Sequence, residues 1–174
     1  MKEAIRYGFT LALICAVAGG LLAGVNSLTK SRLISQAQAG EEANLMEVLP
    51  SASSFEVVKK GEEIEYYKGL NKENKSMGVV FKASAKGYSS TIDTLVGMLN
   101  DGTITAIKVV GQNETPGLGS RVNEADFAAR FANRRVENLN QVQAITGATI
   151  SSSAVIASVK AKAEEIKVLL QNER

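Results

Sequence analysis

The chain has 174 residues, 45% apolar and 22% charged, with 20 Lys and Arg against 18 Asp and Glu. This composition excludes a disordered tail, and a net charge of +2 offers no broad electrostatic footprint for nucleic acid. With no His and a single Cys, the chain has no Ser-His-Asp triad, Cys-His dyad, His-based metal site, internal disulfide or thiolate-held iron–sulfur cluster.

The first element is apolar. Tyr7 to Val25, YGFTLALICAVAGGLLAGV, contains no charge. At the rise of an α-helix it spans about 28 Å, close to the hydrocarbon thickness of a bilayer. Residues 1–29 are therefore read as one N-terminal transmembrane helix. A buried core helix of this length would carry a polar face, and the apolar region of a signal peptide usually runs about 7–15 residues. An uncleaved anchor is accordingly favoured over a cleaved signal. Ile14 before Cys15 does not fit a lipoprotein signal, and Cys15 reads as a small apolar filler. Lys2 and Arg6 flank one end and Lys30 and Arg32 the other, so the positive-inside rule does not choose a side. A short N-terminal tail retained in the cytoplasm places the larger domain outside a cell (inner) membrane crossed once.

Residues 30–50 form the next segment, a helical linker. Apolar Leu33, Ile34, Ala37, Leu45, Met46, Val48 and Leu49 recur at helical spacing, and Pro50 stops the pattern. Short β-type runs follow at Glu56–Val58, Ile64–Lys68 and Met77–Ala83. The clearest hairpin joins Ile92–Leu99 to Thr103–Val110 through Asn100-Asp101-Gly102, whose Asp-Gly pair is turn chemistry between β-rich runs. A helix is predicted over Glu124–Phe131, with Phe127 and Phe131 four apart on one face. Arg134-Arg135 reads as a solvated pair and Val142–Ile145 as a short strand. The closing helix has Val155, Ile156, Val159, Ala163, Ile166 and Leu170 at intervals of three and four. Hairpin strands followed by separate helices predict an α+β fold over 51–174: an antiparallel sheet with packed helices, preceded by the transmembrane helix.

Two segments carry chemistry. Thr146-Gly147-Ala148-Thr149-Ile150-Ser151-Ser152-Ser153 lies just before the last helix. Small residues let backbone approach a ligand, hydroxyls donate to an anion, and a helix start adds free N–H groups and the positive end of a dipole. A phosphate is the matching guest; plain helix capping by Ser and Thr is the competing reading. The second segment is Glu114-Thr115-Pro116-Gly117-Leu118-Gly119. Pro116-Gly117 suits the centre of a type II turn, which projects its neighbours rigidly and exposes N–H groups. Leu118 between glycines could lie against a planar ligand; the competing reading is an ordinary surface turn.

Together these motifs, with GYSSTIDTLVGMLNDGTITAIKVV and the N-terminal anchor, resemble the FMN-binding domain of the G subunit of the Rnf ion-pumping electron-transport complex. The related C subunit of the Na⁺-translocating NADH:quinone reductase is larger. The resemblance implies an FMN attached by a phosphoester to the Thr ending [ST]GAT, here Thr149. It also implies a flavin transferase that uses FAD as donor, and other membrane and redox subunits as partners. The complex would move electrons between ferredoxin and NAD⁺ while translocating Na⁺ or H⁺. Thr146, Gly147, Ala148, Ser151 and Ser152 are then expected around the phosphate, and Glu114, Thr115, Gly117, Leu118, Gly119 and Tyr88 around the isoalloxazine ring. Loop N–H groups would favour the anionic reduced ring. One position departs from the family pattern: Gln143 stands where an Asp often precedes the motif. The alternatives are the quinone-reductase subunit, a stand-alone extracytoplasmic flavoprotein, and a tethered binding module without cofactor.

Overall fold

The computed structural model describes residues 2–172. The chain forms two compact units, Met1–Glu42 and Ala43–Arg174. Helix α1, Lys2–Val48, is continuous, so the expected anchor and linker belong to one helix. Within it Arg6–Asn26 is long and apolar enough to cross a membrane. Phe9, Leu11, Leu13, Leu21 and Leu22 are all more than half exposed, the pattern of a helix with no polar face to turn to water. The side chains of residues 30–39, including Lys30, Arg32, Leu33, Ile34 and Ala37 of the expected linker, lie outside the described ones.

The second unit is built on a six-stranded antiparallel sheet in which each strand pairs with the next in sequence. The strands are β1 Ser54–Lys60, β2 Glu63–Leu70, β3 Ser76–Lys86, β4 Thr91–Leu99, β5 Thr103–Gly111 and the two-residue β6 Arg134–Arg135. The β4–β5 hairpin turns as its sequence predicts. Gly102 has φ +84°, its N–H donates to the Leu99 carbonyl at 3.0 Å, and the Asp101 carboxylate accepts from the Thr103 N–H at 2.9 Å. Helices α2 (Ala125–Ala129) and α3 (Thr149–Asn172) complete the unit.

Alternation along the strands divides the apolar side chains between two faces. Val79, Phe81, Ala83, Ile92, Val96, Met98 and Ile104 share the larger core with Phe127, Phe131, Val155, Val159, Ala163 and Ile166. The spacing of the last four on α3 is the stripe read from the sequence, and all four are fully buried. Each large apolar side chain contributes about 1.5–3 kcal/mol by leaving water. The opposite face is covered by Leu45, Val48, Leu49 and Ala52 packed on Val80 and Leu95. Phe127 and Phe131 meet edge to face at 5.3 Å, with the Arg130 guanidinium over the Phe127 ring.

Three local expectations are corrected. Val142–Ile145 is not a strand. Its polar backbone atoms are taken by other groups: the Arg130 guanidinium donates to the Gln143 carbonyl at 2.8 Å, and the Ile145 N–H donates to Ser152 Oγ at 3.0 Å. Arg134-Arg135 is a solvated pair only in part: Arg135 is exposed and Arg134 half-buried. It forms β6 against Thr103 and Ile104, with Arg134 Nε donating to the Arg130 carbonyl at 2.6 Å. The helix expected over Glu124–Phe131 is shorter, because the chain tightens into turn geometry after Ala129 and reaches Asn133 at φ +59°.

Gly97 on β4 faces the Val48 carbonyl and the Thr105 hydroxyl, which are hydrogen-bonded to each other, and a Cβ there would overlap both. Gly97→Ala is expected to destabilise the chain by about 1–3 kcal/mol, as overpacking does. Urea unfolding of the detergent-solubilised chain, followed by tyrosine fluorescence, reads this directly. An unchanged midpoint would show that the α1 end does not pack on the sheet as described.

Candidate functional site

The site is built from three turns. The first follows β3, where the Gly87 N–H donates to the Ser90 carbonyl at 2.8 Å and closes the stretch containing Tyr88 and Ser89. The second is the expected type II turn: the Leu118 N–H donates to the Thr115 carbonyl at 3.1 Å, with Gly117 at φ +74°. The third, absent from the sequence reading, repeats that geometry before α3. The Ala148 N–H donates to the Ile145 carbonyl at 2.9 Å, with Gly147 at φ +84°. Both glycines occupy a backbone region that side-chain-bearing residues rarely adopt, which is why each motif has Gly at that place.

Glu114 ties the three together. Its carboxylate accepts from the Tyr88, Ser89 and Ser90 N–H groups at 3.2, 3.0 and 2.8 Å and from the Ser90 hydroxyl at 3.2 Å. It also accepts from the Ser151 hydroxyl, in the first turn of α3, at 2.6 Å. The residue is only 5% exposed. Burial pushes the carboxyl pKa up, but the bonds from Ser151, Ser90, Ser89 and Tyr88 outweigh it and bring it down from 4.5 to about 2. Gly119 packs against this knot; a Cβ there would overlap the Glu114 carboxylate and sit 2.8 Å from the Ser151 hydroxyl.

Around the knot lies a cavity of about 380 Å³, within the size range of small-molecule sites. Of the residues singled out from sequence, Tyr88, Glu114, Thr115, Leu118, Gly119, Gly147, Ala148, Thr149 and Ser151 line it. Thr146, Gly117 and Ser152 do not. Thr146 offers its carbonyl to Arg121 at 3.1 Å. Ser152 is fully buried and ties the loop: its hydroxyl accepts from the Ile145 N–H and donates to the Ala148 carbonyl at 2.8 Å. Ile150 completes the lining, a residue that sequence reasoning missed. Its signal is an apolar side chain off the buried stripe of α3, and it is 58% exposed. Tyr88 is likewise exposed, so it is not a core tyrosine.

Thr149 is the first residue of α3, exposed at the cavity wall. The helix ladder begins with the Ser152 N–H donating to the Ala148 carbonyl at 2.9 Å, so the N–H groups of Thr149, Ile150 and Ser151 precede its first bond. A hydroxyl stands here beside the positive end of a 24-residue helix, the setting that suits an anionic group. The ETPGLG loop differs from expectation in one respect. Its amides are largely used within the loop, since the N–H groups of Glu114, Gly117 and Leu118 bond to Gln112, Ser120 and Thr115.

The depressed Glu114 pKa has a direction in pH. An ionised carboxylate held below its ordinary value stabilises the fold above about pH 4.5, and that contribution disappears as pH falls toward about 2. Glu114→Gln is expected to cost on the order of 2–3 kcal/mol at neutral pH, as loss of charge-assisted hydrogen bonds does. The gap from wild type should close on acidification. A gap that stays constant across that range, in urea unfolding at several pH values, would contradict the ionised knot.

Residues 87–164 match the FMN-binding domain family, and residues 1–48 match the RnfG N-terminal region. The G subunit of the ion-translocating oxidoreductase complex of Methanosarcina acetivorans is 36% identical over 171 residues, covering 89% of this chain and 90% of that protein. The G subunit of the proton-translocating ferredoxin:NAD⁺ oxidoreductase complex of Clostridium ljungdahlii is 32% identical, covering 90% and 88%. Among solved structures, NqrC of Shewanella oneidensis superposes with a TM-score of 0.49 at 20% identity, covering 64% of this chain and 65% of that one. At the identity shared with the two G subunits over nearly their full length, the chain belongs to the G-subunit family of ion-translocating oxidoreductase complexes.

Proposed function

We propose that this chain is a membrane-anchored electron-relay subunit whose FMN is esterified through its phosphate to Thr149, with an anchor over residues 1–29, a linker over 30–50 and the FMN-binding domain over 51–174. The observation that carries the reading is the placement of Thr149: an exposed hydroxyl on the first residue of α3, in the wall of the cavity that Tyr88, Glu114 and Leu118 also line. The residues present fit the group. Unbonded N–H groups at the start of α3 suit a phosphodiester, which keeps one negative charge. Exposed apolar Leu118, Ile150 and Tyr88 suit a flat ring. FMN bound there supplies the electron-transfer chemistry. The chain holds the phosphate end, shapes an apolar slot, and leaves one side open to a partner.

Among the described residues that line the cavity with Thr149 there is no His and no Cys to activate its hydroxyl, and a threonine is a weak nucleophile unaided. A flavin transferase therefore makes the bond. Thr149 would be the acceptor hydroxyl and FAD the donor from which the transferase moves FMN, with AMP as the leaving group. The helix stretch Tyr7–Val25 has no charged residue, so the ion path belongs to other subunits. The protein spans the cell membrane once, with its domain on the extracytoplasmic side, and passes electrons between redox centres of those subunits.

The full chain co-expressed with a flavin transferase, then denatured and run on a gel under ultraviolet light, is expected to fluoresce. Its mass should rise by one FMN, located on the peptide containing Thr149. Thr149→Ala should be dark and Thr149→Ser labelled. Flavin on another peptide, or an unmodified mass in the presence of active transferase, overturns the assignment.

A further inference from the structure

We propose that Glu114 sets the reduction potential of this site, as a fixed negative charge in the cavity wall that disfavours electron uptake by the bound flavin. The inference rests on the reading of an FMN held in this cavity. The Glu114 side chain is buried and forms part of the cavity lining, so its charge acts through protein rather than through bulk water. Its hydrogen bonds come from the Tyr88, Ser89 and Ser90 N–H groups and from the Ser90 and Ser151 hydroxyls, every one a neutral donor. Neutral dipoles hold the charge in place and offset only part of its field, whereas a Lys or Arg partner would neutralise it. Amides of the neighbouring loop are engaged elsewhere and do not offset it: the Gly117 and Leu118 N–H groups bond to the Ser120 hydroxyl and the Thr115 carbonyl. The positive end of α3 faces the phosphate end of the cofactor in this reading, leaving the carboxylate as the formal charge in the wall.

Reduction adds electrons from an external reductant, with protons taken from solvent as the ring requires; the carboxylate exchanges neither. Its effect is electrostatic. A second negative charge brought near a first in a weakly screened site is disfavoured, so the oxidised form is preferred and the potential falls.

The test uses the full chain, matured by the transferase and kept in detergent micelles. It is titrated with dithionite in the presence of mediator dyes while flavin absorbance is followed. Glu114→Gln should raise the midpoint by at least a tenfold shift in the reduction equilibrium, about 59 mV for a one-electron step. Ser151→Ala keeps the charge and removes one of its donors, so its midpoint should move the opposite way, below wild type. A loosened pocket would shift both variants in the same direction, so opposed shifts separate charge from packing. A Glu114→Gln midpoint at or below wild type overturns the proposal, as does a Ser151→Ala midpoint at or above it. Should Glu114→Gln fail to fold, the direction of Ser151→Ala decides alone. Failure of the underlying reading is seen separately and earlier, as wild-type protein without flavin on the Thr149 peptide.

Discussion

A single buried carboxylate organises the functional end of this domain. Glu114 lies between the turn after β3, the loop after β5 and the first turn of α3, and it bonds across them. These segments are distant in sequence and have few apolar residues with which to hold each other. Burying a charge is costly unless it is fully hydrogen-bonded, so the arrangement is stable only when all three segments are in place together. The knot therefore acts as an all-or-none latch on the cavity wall. Gly119 is part of the same constraint, since any side chain there would displace the carboxylate or the Ser151 hydroxyl.

The rest of the fold presents this latch. Strictly sequential strand pairing makes a sheet with two apolar faces, one closed by α3 and the other by Leu45, Val48 and Leu49. The buried stripe of α3 fixes the rotation of the helix, and that rotation leaves Ile150 on the exposed side with Thr149 while Ser151 and Ser152 turn inward. The hydroxyls of the motif thus divide their work. Ser152 ties the preceding loop, Ser151 joins the latch, and Thr149 stays available.

What is legible in the sequence follows from strong local rules. The long apolar run, the Asp-Gly hairpin, the Pro-Gly turn and the three-and-four spacing of α3 each depend on neighbours along the chain, and each stands where expected. What is not legible depends on partners far away. Val142–Ile145 has strand-like composition, yet its backbone groups bond to Arg130 and Ser152 rather than to a ladder. Ser152 reads as a ligand for phosphate because its burial is a tertiary fact. Glu114 is recognisable as a site residue, but its part as a structural tie is not. Nothing local indicates that Ser151, 37 positions later, completes its hydrogen bonding, or that the adjoining loop turns its amides inward.

The order of the elements has a consequence for biogenesis. Thr149 lies on the last element of the chain, and the latch that shapes its surroundings draws on strands formed much earlier. A polypeptide still emerging from the ribosome without α3 presents no acceptor, and one with α3 undocked presents it without its cavity. In the reading proposed above, colour therefore reports that synthesis has reached the last helix of the domain.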